Sequence, residues 1–195
     1  MKQEAIERLE HAGFVIRLLT DENPINPREW DNLGTMVCFH RKYELGDKHE
    51  FTSPGEFSAW LEEQGDNVIA LPLYLCDHGG ITMSTGSFSC PWDSGQVGWI
   101  YVTKEKVREE YAGVFGGRAV TQKLRERVKD QLRVEVNVYD LYLTGGFVGY
   151  VVEDDGEHVD SCWGFDDKSY AIEQAKLAAE ALREEVRKCE QACAL

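Results

Sequence analysis

Apolar residues recur along this chain with two spacings, and each change of spacing marks a new element. In residues 2–12, Ala5, Ile6 and Leu9 share one side of a helical projection, which predicts a short opening helix. Phe14 to Leu19 reads as a strand, halted by Asp21-Glu22-Asn23-Pro24 and by Pro27; Leu33 to His40 reads as a second. Ser53-Pro54-Gly55-Glu56 is a helix start: a capping hydroxyl, a proline suited to the first helical position, and a glutamate able to reach back. Phe57, Trp60 and Leu61 supply the buried stripe of that helix, and Gly65 ends it. Val68 to Cys76 is an apolar strand in which Pro72 demands an edge or a bulge. Val97 to Val102 is another strand, after which Thr103 caps a short helix from Lys104 to Tyr111.

Residues 118–143 carry both periods. Leu124, Val128, Leu132, Val136, Tyr139 and Leu143 keep helical spacing, while Leu132, Val134, Val136 and Val138 alternate as a strand would. Gly145-Gly146 would close either element. The length of the run, and the charges at Arg125, Glu126, Arg127, Lys129 and Asp130, favour the helix. Phe147 to Glu153 and His158 to Gly164 then form a hairpin about Asp154-Asp155-Gly156. In the last helix Ile172, Ala175, Ala179, Leu182, Val186, Cys189 and Cys193 step by three or four. Docking on a sheet accounts for that stripe, which would also serve as the seam of a homodimer. Together these elements predict a single α+β domain over residues 1–195. It comprises a mostly antiparallel sheet packed with a long C-terminal amphipathic helix and two or three other helices.

Composition narrows the function classes. A chain of 195 residues, 43% hydrophobic and 29% charged, suffices for one well-buried core. Acids outnumber bases 35 to 21, a net charge of −14, which argues against direct binding to nucleic acid or to an anionic membrane. The first nine residues carry no apolar signal run, and the uncharged stretch from Asn67 to Cys76 is about half of a bilayer span, so a cytoplasmic protein is expected. In that reducing compartment Cys38, Cys76, Cys90, Cys162, Cys189 and Cys193 are expected as thiols. The acids are unevenly spread. Between Glu153 and Asp167 seven of them (Glu153, Asp154, Asp155, Glu157, Asp160, Asp166 and Asp167) meet no Lys or Arg. Acidic turns keep a protein soluble; gathered on one face, they would imitate a nucleic-acid backbone and dock on a basic groove.

The segment from Asp77 to Gly98 is dense in glycine and small hydroxyl residues, the composition of a functional loop. Within it Cys90 is a candidate nucleophile, with His78 as base and Asp77 or Asp93 to orient it. No cysteine-hydrolase signature surrounds Cys90, and a small buried thiol is the plainer reading. Cys38-Phe39-His40 and Cys76-Asp77-His78 are both Cys-x-His, so neighbouring strands would offer Cys38, His40, Cys76 and His78 to one zinc ion. His40, Asp77, His78 and Asp93 are a third candidate set, for a metal-activated water. No Walker loop, Gly-x-Gly-x-x-Gly or Gly-x-Ser-x-Gly motif is present, and no cofactor is expected. Trp30, Trp92, Trp99 and Trp163 would line a stacking pocket or simply fill the core.

Five segments carry a resemblance: Trp30 to His40, Leu73 to Thr82, Phe88 to Gly98, Tyr139 to Gly145, and Asp160 to Phe165. In these, notably Leu73-Tyr74-Leu75-Cys76-Asp77-His78-Gly79-Gly80 and Ser89-Cys90-Pro91-Trp92-Asp93-Ser94-Gly95-Gln96, the chain resembles a family of small proteins carried by bacteriophages, prophages and other mobile elements. The likeness transfers no catalytic residues and implies a setting, that of a phage accessory protein. Small acidic proteins in that setting often inhibit host defence enzymes of the restriction or CRISPR type. The expectation is a non-enzymatic counter-defence inhibitor, a DNA mimic that presents the seven acids of residues 153–167 to a basic host protein. The alternative is a small hydrolase or nucleotide-binding protein centred on Asp77, His78, Cys90 and Asp93.

Overall fold

A computed structural model describes residues 3–115 and 120–193, with backbone only at 114, 115 and 193. The expected helix from residue 118 and stripe at Cys193 therefore fall partly outside what is described. The chain has the α+β architecture expected of it: antiparallel strands in two four-stranded sheets, each packed with a long helix. It divides into two compact units, one of residues 1–25 and 145–195, the other of residues 26–144.

In the 26–144 unit, β3 (Thr35–Cys38), β4 (Val68–Asp77), β5 (Ile81–Ser84) and β6 (Ser94–Thr103) form a sheet in the order β3-β6-β4-β5. Successive side chains of a strand point to opposite faces. Ile100 and Val102 of β6 enter the main core, whereas Trp99 and Tyr101 meet Phe57 of α1 (Pro54–Gln64) at ring separations of 5.2 and 5.5 Å. Helix α1 begins as its sequence requires, with the Ser53 hydroxyl accepting from the Glu56 N–H. The Glu56 carboxylate reaches back one residue further than in a standard capping box, to the N–H and hydroxyl of Thr52. Pro72 is tolerated because β5 pairs only from Tyr74 onward, and the ladder shifts register between Leu73 and Tyr74. Thr103 caps α2 (Lys104–Glu110), which is followed by the single turn α3 (Ala112–Phe115).

The ambiguous run resolves as a helix, α4 (Gln122–Thr144). Leu124, Val128, Leu132, Val136 and Tyr139 form its buried stripe, whereas Val134 is 53% exposed. The alternation of Leu132, Val134, Val136 and Val138 is therefore coincidental. The stripe packs on Met36, Ile69, Leu73 and Leu75 of the sheet. Burying each such side chain contributes about 1.5–3 kcal/mol.

In the other unit, β1 (Glu7–His11), β2 (Phe14–Thr20), β7 (Val148–Asp154) and β8 (Glu157–Phe165) form a sheet in that order, with β8 at one edge. The expected opening helix is not formed: residues 7–11 are a strand paired to β2 in register Glu7↔Leu18 to His11↔Phe14. Ala12 and Gly13 adopt positive φ (51° and 86°) and close a tight hairpin, which the helical spacing of Ala5, Ile6 and Leu9 obscured. An edge strand needs little apolar surface, and Leu9 supplies it. The expected β7–β8 hairpin turns at Asp155 and Gly156, again with positive φ. Helix α5 (Lys168–Cys193) docks through Ala171, Ala175 and Ala179, all fully buried, whose small side chains let its backbone lie close to the strands. The docked surface ends at Leu182. Val186 and Cys189, expected in the same stripe, are exposed.

Candidate functional site

The loop singled out in the sequence is partly ordinary hairpin. Asp77 ends β4, Gly79 turns the chain with φ 70°, and β5 and β6 take up Ile81–Ser84 and Ser94–Thr103. The connection between those two strands folds back on β4, where the Asp77 N–H donates to the Asp93 carbonyl at 2.8 Å. This register brings three of the candidate residues together on one atom. His78 Nδ1 lies 2.9 Å from Asp93 Oδ2, and the Cys90 thiol lies 3.6 Å from the same oxygen. Asp77 turns the other way, accepting from Tyr43 Oη at 3.1 Å, while Lys42 Nζ donates to Tyr43 Oη at 2.6 Å. The Tyr43 contact and the Asp77 charge raise the Lys42 ammonium above the usual lysine range. His40, whose Nδ1 accepts from the Lys42 and Tyr43 N–H groups, stacks on Tyr43.

This cluster borders an open cavity of about 360 Å³ lined by His40, Asp77 and Asp93. Its chemistry is limited by its order. A thiol nucleophile needs an imidazole or another cation against the sulfur. Here the sequence of contacts is thiol–carboxylate–imidazole, and the carboxylate stands between the two groups that would have to exchange a proton. The His78 side chain is 82% exposed and its carboxylate partner 38%, so the pair is held in water.

The four-residue zinc arrangement is not formed. It required β3 and β4 to be neighbours, and β6 lies between them, pairing Cys38 with Gly98 and Cys76 with Ser94. Cys38 is buried, and burial, reinforced by the charge of Asp47, pushes its thiol up to about 12. The candidate set for a metal-activated water, His40, Asp77, His78 and Asp93, is also divided, since His40 turns to Tyr43 and His78 to Asp93. Among the described residues no group of three or more His, Cys, Asp or Glu side chains is placed to hold a metal ion. The tryptophans separate too. Trp99 joins the ring cluster on α1, Trp163 covers Gly149, Trp92 is 92% exposed beside the cavity, and Trp30 lines a different cleft.

The acids of residues 153–167 are laid out by the topology. Because β8 is an edge strand, the base-free run follows one border of the sheet for roughly 30 Å. Asp154, Asp155 and Glu157 are exposed at the β7–β8 turn, Asp160 lies midway, and Asp166 is exposed at the far end. Three of the seven have structural work, Asp160 accepting from the Ser161 N–H at 2.8 Å. Glu153 pairs with Arg17 at 3.0 Å with both side chains largely covered, and the Asp167 carboxylate accepts from the Tyr170 N–H in the first turn of α5. The unit that carries this edge holds 17 acids and 8 bases, a net −9, against 18 and 13 in the other.

Sequence reading missed the most connected polar group among the described residues. The Arg28 guanidinium, 4% exposed, donates twice to Asp47 (3.0 and 2.7 Å), once to the Gly34 carbonyl (2.7 Å) and once to Glu135 (3.4 Å). Glu135 also accepts from the Leu33 and Gly34 N–H groups, and Asp47 from that of Met36. The signal was present in α4. Glu135 stands three residues after Leu132 and four before Tyr139, a carboxylate on the buried stripe, and such a group requires partners.

No family model, curated protein or solved structure matches the chain.

Proposed function

We propose that this protein is a non-enzymatic accessory protein that docks on a basic protein surface through the acidic edge formed by β8 and its turn. The observation that supports the reading is the base-free run at the edge of the more acidic unit, where Asp154, Asp155 and Glu157 stand exposed with no Lys or Arg between Glu153 and Asp167. Like charges exposed at one border attract a positive surface and repel nucleic acid and anionic lipid. A host protein that handles nucleic acid presents such a surface, and occupying it would inhibit that protein, in keeping with the phage-like setting read in the sequence. The three turn residues contribute little to the core, so they can be reversed without unfolding the sheet.

The test is association of the immobilised protein with basic host proteins as salt is raised. Exposed charges are screened beyond a Debye length of about 10 Å at 0.1 M salt, so capture should fall steeply. The triple variant D154K/D155K/E157K should capture none of the partners held by the wild type. Equal capture by that variant would remove this edge from the interface.

A further inference from the structure

The order of thiol, carboxylate and imidazole limits catalysis beside the Cys90 loop, but binding a ligand there needs no proton transfer. The cavity of about 360 Å³ lies at the lower end of the small-ligand range. It is lined by Phe39 and His40 just past β3, Asp77 at the end of β4, and Trp92, Asp93 and Gln96 around the start of β6. Trp92 is the most exposed large apolar side chain among the described residues. It has no ring or hydrogen-bonding partner among them, so its indole face is open at the rim of the cavity.

The polar groups that the fold leaves over form a pattern. His40 Nδ1 accepts from the Lys42 and Tyr43 N–H groups at 3.2 and 3.1 Å, which places the ring proton on Nε2. That N–H is a donor without a partner among the described residues. Asp77 receives Tyr43 on Oδ2, and Asp93 receives His78 and Cys90 on its own Oδ2. The Oδ1 atom of each therefore remains as an acceptor. Gln96 Nε2 donates to the Gly98 carbonyl at 3.3 Å, which leaves Oε1 as a further acceptor. The frame is held in advance. The Asp77 N–H donates to the Asp93 carbonyl, and the Ser94 hydroxyl donates to the Cys90 carbonyl at 2.5 Å, which lowers the ordering cost of filling the cavity.

We infer that this cavity binds a guanine base, taken as the neutral nucleoside. The Watson–Crick edge of guanine offers one acceptor, O6, beside two donors, N1–H and the 2-amino group. The imidazole N–H answers the first and the carboxylate oxygens the other two, while the purine stacks on the indole. Adenine has a donor where guanine has O6 and an acceptor at N1, so it opposes the lining at both positions. Phosphates would be brought up against Asp77 and Asp93, which favours the nucleoside over the nucleotide in a chain of net charge −14. The inference goes beyond the docking reading and concerns the unit that does not carry β8, so each stands or falls alone.

The probe is guanosine, titrated into the full chain while the indole N–H signals are followed by NMR. The Trp92 signal, assigned by its loss in W92F, should shift and saturate. Inosine, which lacks the 2-amino group, should bind about tenfold more weakly, and adenosine more weakly still. GMP should bind severalfold more weakly than guanosine. W92A removes a side chain that packs on nothing, so the fold is kept and guanosine binding should fall about tenfold. The edge variant D154K/D155K/E157K should bind guanosine as the wild type does, whatever becomes of its protein capture. A Trp92 signal that does not move, or W92A binding as tightly as the wild type, overturns the site. Adenosine or inosine binding as tightly as guanosine overturns the reading of the base, and tighter binding of GMP overturns the preference for a nucleoside.

Discussion

Two carboxylates of the same unit, Glu135 and Asp93, show how little conspicuousness in a sequence says about weight in a structure. Asp93 lies in a segment crowded with histidine, cysteine and hydroxyl residues, and it gathers two of them on one oxygen. Glu135 sits unannounced in a helix, yet it joins an arginine, two backbone N–H groups and, through Arg28, a second carboxylate. The difference is water. Around His78 and Asp93 the solvent competes for every contact, and an exposed pair contributes roughly 0–1 kcal/mol. Around Arg28 and Glu135, 4% and 6% exposed, no solvent replaces a lost partner.

The largest effect that would break the comparison is in the buried cluster. Glu135→Ala leaves the Leu33 and Gly34 N–H groups and one edge of Arg28 without partners, and should cost about 3–5 kcal/mol in urea unfolding. A loss below 1 kcal/mol would mean that the network is decorative. The cysteines sharpen the contrast at an intermediate level. Cys90 is exposed and should be alkylated in the folded chain, whereas Cys38 should react only on unfolding. Its thiol is raised from 9.0 to about 12 in the folded chain, so the folded form keeps a proton that the unfolded form loses. The stabilisation this gives is complete below pH 9 and declines between pH 9 and 12, by at most about 1.4 kcal/mol per pH unit. Tyr101, Tyr139 and Tyr150 are raised by burial and add to the same alkaline slope, so Cys38→Ala should reduce that slope without removing it. The smallest effect is His78→Ala, which should change stability by roughly 0.5 kcal/mol or less.

What could be read from the chain follows the same division. Elements whose signals are local were legible: the Ser53 cap, the Asp155-Gly156 turn, and the docking stripe of α5 as far as Leu182. The opening strand was not, because an edge strand with one inward leucine leaves no alternating pattern and its identity comes from pairing with β2. Sheet order was equally invisible, and with it fell the zinc arrangement, since nothing in two Cys-x-His motifs says which strand lies between them. The convergence of His78, Cys90 and Asp93 was anticipated; the position of the carboxylate between the other two was not. The apolar cleft at Trp30 is assembled from three separate stretches of chain and has no linear signature.

The alanines beneath α5 have a practical corollary. They confine its anchorage to the first four turns, and residues 183–192 run on as a solvated rod of roughly 15 Å. A dye, tether or fused module attached past Leu182 would stand clear of the sheet on which the helix docks, giving a handle that leaves the packed interior of this unit undisturbed.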